Sequence, residues 1–253
     1  AILPVHLFGA VANMEPIMTI AEKYGLQVIE DTAQSCGSEY AFSTGKRKKA
    51  GTMGDFGTFS FFPSKNLGCY GDGGAVVTDD DTLAEKARMI AKHGQSKKYI
   101  HDRLGCNSRL DSIQAAVLNV KLKYLDKYNE HRQLVAERYD RLLKDIPGIT
   151  TPCRPLNGTH IFHQYTIKVE ERRDELQKEL TDQGIGSAIY YPIPLHMQKA
   201  FMGIPTRKGE LEATEEIKDQ VLSIPIDSEL SLDQQEYICN TIKDFITKWK
   251  LQS

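Results

Sequence analysis

Three segments decide the fold of this chain: Glu30-Asp-Thr-Ala-Gln34, Ser60-Phe-Phe-Pro-Ser-Lys-Asn66 and Gly71-Asp-Gly-Gly74. Each of them touches or overlaps a short apolar run of the kind that forms a buried β-strand, at residues 27–31, 58–62 and 75–78. Apolar stripes at helical spacing lie between and after these runs. Strands that alternate with helices predict an α/β domain, with a mostly parallel sheet covered by helices. Ligands in such sheets bind at the carboxyl ends of the strands.

The same patterns predict elements along the whole chain. Further strands are expected at 2–7, 161–169 and 185–191, and helices at 17–24, 83–90, from 108 to about 143 in two parts, 172–183 and 231–249. Ser108 with Asp111, and Ser231 with Gln234, have the spacing of helix capping boxes. The distribution predicts a large domain over residues 1–130 and a smaller C-terminal α+β domain over residues 131–253.

Composition excludes several classes of protein. With a net charge of −2 and 26% charged residues in 253, the chain has no basic surplus for a nucleic acid or an anionic membrane. It also contains no apolar run long enough to span a bilayer. The five cysteines include no Cys-x-x-Cys pair, which disfavours disulfides and a zinc site and favours the cytoplasm.

Two other clusters are interpreted as structural. His160 and His163 would point to opposite faces of a strand, and metal sites need three or four convergent ligands, so no metal is expected there. The basic run Lys46-Arg-Lys-Lys49 is short and has no interleaved aromatic residues, so a solvated loop is expected.

Lys65 is the residue with the most specific chemical context. Taken alone it would be a solvated lysine, since lysines are rarely buried. It follows the apolar run Phe59-Ser-Phe-Phe62, however, and the resulting desolvation favours the neutral amine that attacks a carbonyl group. Asp31, at the end of a buried strand, suits a protonated pyridine nitrogen, and the Ser60 hydroxyl could donate to a phosphate.

The order of these motifs resembles that of the DegT/StrS-type sugar aminotransferases. The resemblance rests on the three segments quoted above and on Gly105-Cys-Asn-Ser-Arg109. The remaining matches are His93-Gly94, Gln114-Ala-Ala116 and Tyr191-Pro-Ile-Pro-Leu-His196. Together they cover essentially the whole chain, and the joint pattern is far more specific than any one motif.

The resemblance implies the type I fold of the pyridoxal-phosphate-dependent transferases and a set of cofactor contacts. Lys65 matches the lysine that forms the covalent aldimine with pyridoxal 5'-phosphate and then moves the proton. The other matches are Asp31 to the pyridine nitrogen, Ala33 to one ring face, Gln34 to the phenolic oxygen, Ser60 to the phosphate, and Asn107 to the phosphate of a neighbouring subunit. A homodimer with a shared active site is therefore expected.

Two departures from the family pattern stand out. Asp72 replaces the glutamate that many members have, which is a common variant. Family members also begin with a longer segment that carries a phosphate loop and an aromatic residue on the cofactor ring, and neither has a counterpart before Ala1. The chain is therefore expected to begin inside a longer protein and to bind the cofactor poorly by itself.

On the substrate side, the resemblance implies transamination of a nucleotide-linked keto sugar, with glutamate as donor, in amino-sugar or surface-polysaccharide synthesis. The sequence of residues 61–74 is most similar to that of members that aminate a UDP-linked 3-oxo uronic acid. Arg109 would then clamp a carboxylate, or else form a structural ion pair. Tyr191 and His196 either line the substrate site or only pack within a loop.

Two alternative functions stay open at this point. One is a sugar dehydratase of the same family, although the dehydratases considered have histidine in place of the lysine that Lys65 matches. The other is a catalytically silent scaffold or regulatory protein that keeps the fold. The joint presence of Asp31, Ser60, Lys65 and Asn107 weighs against a silent protein.

Overall fold

The computed structural model describes residues 1–204 and 211–251. They form two compact units, one made of Ala1–Glu130 with Arg154–His163 and the other of His131–Cys153 with Gln164–Ser253. The segment 154–163 thus returns to the first unit, whereas the sequence pattern gave a single boundary after residue 130. Within the described ranges, no helix is both long enough and apolar enough to cross a bilayer.

The first unit contains most of the strands. In chain order its elements are a 3-10 turn at Leu7–Gly9, α1 (Met14–Tyr24), β1 (Ile29–Asp31), β2 (Glu39–Ala41), β3 (Arg47–Lys49), β4 (Phe56–Ser60), β5 (Gly74–Val77), α2 (Asp81–Ala91), β6 (Gln95–Lys97), β7 (Ile100–His101), α3 (Ser112–Lys121), a 3-10 turn at Leu122–Tyr124 and the start of α4 (Leu125–Leu143).

The sheet that positions the site has the strand order β1-β4-β5. β1 and β4 are parallel, with Asp31 beside Thr58, and β4 and β5 are antiparallel, with Ser60 beside Gly74. Because parallel strands end at the same edge of a sheet, Asp31 and Ser60 both lie at the carboxyl edge. Before β1, Ile2 and Val5 form only isolated parallel bridges, so the strand expected over residues 2–7 is reduced to two contacts.

Helix α1 begins three residues earlier than expected and ends at Gly25, which adopts the left-handed conformation that closes a helix. Its buried face includes Met14 and Ala21, whereas Ile20 and Tyr24 are exposed. Apolar residues of α1 therefore lie on its exposed side as well as on its buried side. The residues buried in this core cluster are Val11, Met14, Ala21, Val28, Tyr40, Ala50 and Met53.

Three other local predictions for this unit are wrong. The basic run at 46–49 is not a loop, because Arg47–Lys49 forms β3, and both Arg47 and Lys49 pair with Glu39 on β2. Ser108 does not cap a helix, since α3 begins at Ser112 with Asp111 in the N-cap position. Residues 161–164 are not part of a strand; the strand in this region begins at Tyr165.

The second unit is smaller and has its own sheet. It contains the remainder of α4, β8 (Ile149–Thr150), β9 (Tyr165–Val169), α5 (Arg173–Asp182), 3-10 turns at Leu195–Met197 and Lys199–Phe201, α6 (Glu212–Ile217), β10 (Val221–Ile224) and α7 (Leu232–Lys250). The strands are antiparallel in the order β10-β9-β8.

Helix α7 follows the sequence prediction closely. Ser231 and Gln234 form a complete capping box, and Ile238 and Ile242 are buried. The strand expected over residues 185–191 is absent; its only ladder contact in the described residues is a bridge between Ala188 and Ser223. Two prolines follow in that segment, and proline cannot donate a hydrogen bond to a sheet.

A buried carboxylate fixes the end of β1. Glu30 is fully buried, and its two oxygens accept backbone N–H bonds from Gly51 (2.9 Å), Met53 (2.6 Å) and Gly54 (2.7 Å). Burial raises the pKa of Glu30, but hydrogen bonds from His6 and from these three amides outweigh it and hold that pKa below its ordinary value. A charged Glu30 thus ties the 51–54 turn to the strand that carries Asp31.

The side chain of His6 completes this network. Its Nδ1 accepts the N–H of Ala12 at 3.0 Å, so its Nε2 donates to Glu30 at 2.9 Å. The backbone N–H of His6 also donates to the carbonyl oxygen of Asp31 at 3.0 Å. The neutral imidazole therefore holds Glu30 from its side chain and Asp31 from its backbone.

Replacing Glu30 tests the weight of this network. Glu30→Gln puts an amide NH₂ opposite backbone donors and should lower the free energy of unfolding by about 2–4 kcal/mol. Because the folded pKa is lowered, the stabilisation is complete above the ordinary value of 4.5 and is lost as the pH falls through the folded pKa. Urea unfolding at neutral and acidic pH measures both effects.

The matched control is Glu39→Gln, since the Glu39 side chain is 30% exposed and pairs with Arg47 and Lys49 on the surface. Its cost should stay below about 1 kcal/mol. Equal losses in the two variants would contradict a special role for the buried carboxylate.

Candidate active site

Lys65 lies in the turn that follows β4. Its backbone N–H donates to the carbonyl oxygen of Phe62 at 2.9 Å, and the residues immediately after it, 66–69, are buried. The side chain is partly buried, and this burial lowers the pKa of Lys65, while the carboxylate of Asp31 acts in the opposite direction. The net shift is downward, which increases the neutral, nucleophilic fraction of the amine.

Asp31 is held firmly at the end of β1. Its Oδ1 accepts the backbone N–H of Ala33 at 3.0 Å, and its own N–H donates to the carbonyl oxygen of Pro4 at 2.9 Å. The first bond makes a tight turn that fixes Ala33 directly beside the carboxylate. The structure therefore brings Asp31, Ala33 and Lys65 to the same edge of the sheet.

Gln34 is oriented by a contact that the sequence did not reveal. Its Oε1 accepts the backbone N–H of Phe8 at 2.6 Å, so the acceptor end of the amide faces the 3-10 turn and Nε2 is the donor end. Phe8 has a φ of 58°, a left-handed conformation that is costly for a bulky residue. The sequence assigned Phe8 no role, because it predicted only an extended strand leading up to this position.

Ser60 is the last residue of β4. Its Oγ accepts the N–H of Phe62 at 3.4 Å, a long contact that leaves the hydroxyl weakly held. Ser60 pairs with Gly74 across the strands, and the N–H of Phe61 donates to the carbonyl oxygen of Gly73 at 2.8 Å. Part of the glycine-rich segment thus continues the β4–β5 pairing beside the Lys65 turn.

Glycines are required here by close packing. A Cβ atom at Gly73 would lie 2.9 Å from Leu110 and 3.0 Å from the Sγ atom of Cys69. The same loop is anchored by α3, where the Oε1 of Gln114 accepts the N–H of Tyr70 at 2.7 Å. Gln114, matched in the sequence only by resemblance, is therefore a support of this loop.

Asn107 and Arg109 lie on an exposed part of the first unit. The Nε of Arg109 donates to the Oδ1 of Asn107 at 2.9 Å, and both residues are exposed. The partner of Arg109 that the structure describes is thus an amide rather than a carboxylate. Contact of Asn107 with a second subunit, and of Arg109 with a substrate, stay predictions.

Tyr191 and His196 belong to the second unit. Tyr191 is 51% exposed and packs edge-on against Tyr190, at 5.5 Å between ring centroids. The Nε2 of His196 lies 3.0 Å from the Oε1 of Glu215. Both residues lie in or next to irregular backbone, as the sequence predicted, and their role toward a substrate stays a prediction.

His160 and His163 are buried and make structural contacts. The ring of His160 stacks on Phe162 at 3.8 Å, and the guanidinium of Arg154 lies 4.2 Å from the same phenyl ring. Burial, aided by the charge of Arg154, lowers the pKa of His160 to about 3. Among the described residues, no three His, Cys, Asp or Glu side chains form a group that could bind a metal.

Comparison with known proteins places these features in a family. Residues 1–243 match the model of the DegT/DnrJ/EryC1/StrS aminotransferase family. The chain is 47% identical over 247 residues to a pleiotropic regulatory protein of Geobacillus stearothermophilus, covering 97% of this chain and 65% of that protein. It is 43% identical to the UDP-2-acetamido-2-deoxy-3-oxo-D-glucuronate aminotransferase of Pseudomonas aeruginosa, covering 94% of this chain and 64% of that enzyme.

The structural comparison agrees. The crystal structure of a DegT DnrJ EryC1 StrS aminotransferase from Brucella abortus superposes with a TM-score of 0.90 at 41% identity, covering 97% of this chain and 64% of that one. The chain thus spans slightly less than two thirds of the length of these relatives. The predicted fold class is confirmed: this chain belongs to the DegT/DnrJ/EryC1/StrS aminotransferase family and has its α/β, type I pyridoxal-phosphate-dependent transferase fold.

Proposed function

We propose that the protein containing this chain is a pyridoxal-phosphate-dependent aminotransferase that transfers an amino group from an amino acid to a nucleotide-linked keto sugar. The observation that carries the proposal is the partly buried Lys65, with its lowered pKa, near the carboxylate of Asp31 at the carboxyl edge of a parallel strand pair. An amine of this kind reacts readily with aldehydes, and the nearby carboxylate supplies the counter-charge for a cationic ring.

The side chains at this edge fit the groups of pyridoxal phosphate. Lys65 would hold its aldehyde carbon, Asp31 its pyridine nitrogen, Gln34 its phenolic oxygen and Ser60 its phosphate. The donor end of Gln34 suits an oxygen. The Oγ of Ser60 accepts only a long 3.4 Å bond from the N–H of Phe62, so its O–H is suited to donate to a phosphate oxygen. Ala33, fixed next to Asp31, leaves space for a flat ring.

The chemistry then divides between the cofactor and this chain. When bound, pyridoxal phosphate supplies an electron sink for the negative charge left on an amino-acid carbon after loss of its proton. The charge of Asp31 keeps the ring nitrogen protonated, which strengthens that sink. With the cofactor bound, the free Nζ of Lys65 would be the base that takes the proton from the donor α-carbon and the acid that returns it.

For the substrate, we propose a 3-oxo sugar carried by a nucleotide, with glutamate as donor. The support is the sequence of residues 61–74 and the 43% identity to an enzyme named for a UDP-linked 3-oxo glucuronate. The exposed guanidinium of Arg109 donates to the amide oxygen of Asn107, and its planar shape and charge suit the carboxylate of a uronic acid. Tyr191 and His196 are proposed to line the sugar site, and amino-sugar synthesis for a surface polysaccharide is the proposed setting.

The active site is proposed to be shared in a homodimer. Asn107 is exposed on the first unit and held by Arg109 in an orientation that leaves its Nδ2 as the donor end. Donation from this amide to the cofactor phosphate of the partner subunit would couple cofactor retention to dimer formation.

Removal of Lys65 tests the proposal. The purified protein mixed with pyridoxal phosphate should develop the near-violet absorption band of a lysine-bound cofactor, and Lys65→Ala should abolish it, because it removes the amine whose pKa is lowered near Asp31. Lys86→Ala, which removes an exposed lysine of α2, is the matched control and should keep the band. Equal bands in Lys65→Ala and in the unchanged protein would refute the assignment.

The substrate assignment is tested separately with glutamate and two UDP-linked 3-oxo sugars that differ only in the presence of the carboxylate. Arg109→Gln should raise KM for the uronic acid by about tenfold or more, since it removes a charge-assisted bond, while KM for the neutral sugar stays nearly unchanged. Turnover of no 3-oxo sugar by the active protein would reject the proposed substrate class. A matching rise for both sugars would reject the role of Arg109.

A regulatory role is the second candidate, because the Geobacillus stearothermophilus relative is named as a pleiotropic regulatory protein. The two candidates differ in what the cofactor does. A regulator without catalysis would show no amino transfer from glutamate even when Lys65 holds the cofactor. An enzyme would bleach and restore the absorption band as donor and keto sugar are added in turn.

A further inference from the structure

The residue after Lys65 is a buried amide with every polar atom engaged. Asn66 is only 8% exposed. Its Nδ2 donates to the Oδ1 of Asn129 at 2.8 Å and to the carbonyl oxygen of Ile161 at 3.3 Å. Both hydrogens of Nδ2 are thereby used. Because an amide oxygen can only accept, the Nδ1–H of His163 donates to the Oδ1 of Asn66 at 3.2 Å.

This network joins the Lys65 turn to the turn that follows Asp31. Asn129, on α4, receives the Asn66 bond and donates from its own Nδ2 to the carbonyl oxygen of Cys36 at 3.1 Å. The space is closely fitted, because a Cβ atom at Gly37 would lie 2.6 Å from that Nδ2, and Gly37 has a φ of +101°. Asn129 therefore forms hydrogen bonds with both the Lys65 turn and the turn after Asp31.

We propose that Asn66 is the positioning residue of Lys65: through Asn129, Ile161 and His163, its buried carboxamide fixes the backbone from which the Lys65 side chain reaches toward Asp31. The proposal rests on the role of Lys65 in the proposed function. Asn66 would act through Lys65 and would contact neither the cofactor nor the substrate.

The physical argument concerns the freedom of a lysine side chain. Its long stem has many rotamers, so the location of Nζ depends on how firmly the Cα atom and the surrounding turn are held. The network around Asn66 supplies that restraint, and breaking it leaves buried donors and acceptors unpaired, which admits water or movement. Either response exposes Nζ of Lys65 and removes part of the desolvation that lowers its pKa.

The test measures Lys65 in the cofactor-free protein, by the pH dependence of its reductive methylation followed by peptide mass spectrometry. Asn66→Ala should raise the pKa of Lys65 toward its ordinary value and slow methylation near neutral pH by roughly three- to tenfold. Asp31 is the charged group that acts on Lys65 in the structure, and Asp31→Asn should shift the same pKa downward. The opposite responses show that the assay resolves the sign.

Two further variants separate positioning from general stability. Asn129→Ala breaks the network 63 residues away and leaves Asn66 its bonds to Ile161 and His163, so it should raise the pKa of Lys65 in the same direction. It also decides the question if Asn66→Ala does not fold. Tyr40→Phe removes a 2.6 Å hydrogen bond to Asn13 in the same unit and should leave Lys65 unchanged.

An unchanged Lys65 pKa in the folded Asn variants, or an equal rise in Tyr40→Phe, would overturn the proposal. A Lys65 that never bonds to pyridoxal phosphate would instead reject the proposed function. The two failures are distinguishable because the methylation experiment contains no cofactor.

Discussion

The parallel pairing of β1 with β4 is the constraint on which the site depends. It aligns Asp31 with Thr58, so that the first strand ends at a carboxylate beside the strand that leads to Ser60 and the Lys65 turn. Asp31 and Lys65 are 34 residues apart in the chain, and they come together because both strands end at the same edge of the sheet. A one-residue slip in this register would turn their side chains to opposite faces and separate amine from carboxylate.

Buried polar groups, in addition to apolar packing, stabilise the carboxyl edge of the β1–β4 pair. Glu30 binds three backbone amides and His6, and Asn66 binds Asn129 and His163. Such fully paired networks specify one arrangement, because each alternative leaves a buried polar group without its partner. The Glu30 network holds the strand that carries Asp31, and the Asn66 network holds the turn that carries Lys65 and links it through Asn129 to the turn after Asp31.

Sequence reasoning reached the parts of this account that are encoded locally. The acidic end of β1 and the capping box of α7 each lie within a few residues, and the order of motifs identified the family. The apolar run before Lys65 is less buried than predicted, because Phe62 is 50% exposed. The start of α1 was placed three residues too late, at residue 17 instead of Met14. The strand β3 was missed because its charged residues gave no apolar pattern; Arg47 and Lys49 pair with Glu39 on the neighbouring strand.

The contacts that hold the site could not be read in the same way. Phe8 meets Gln34 across 26 residues, and Asn66 meets Asn129 across 63. A polar residue after a lysine has no local sign of burial, and a bulky residue in a left-handed turn contradicts its own propensity. These features depend on tertiary structure, and they are the ones that convert a matched motif into a reactive geometry.

The central claim is that Lys65 is the amine that captures the cofactor. Borohydride reduction of the protein after incubation with pyridoxal phosphate makes that bond permanent, and peptide mapping then locates the added mass. The account predicts a single predominant label on the peptide that contains Lys65. A label spread over exposed lysines, with Lys65 unmodified, would contradict it.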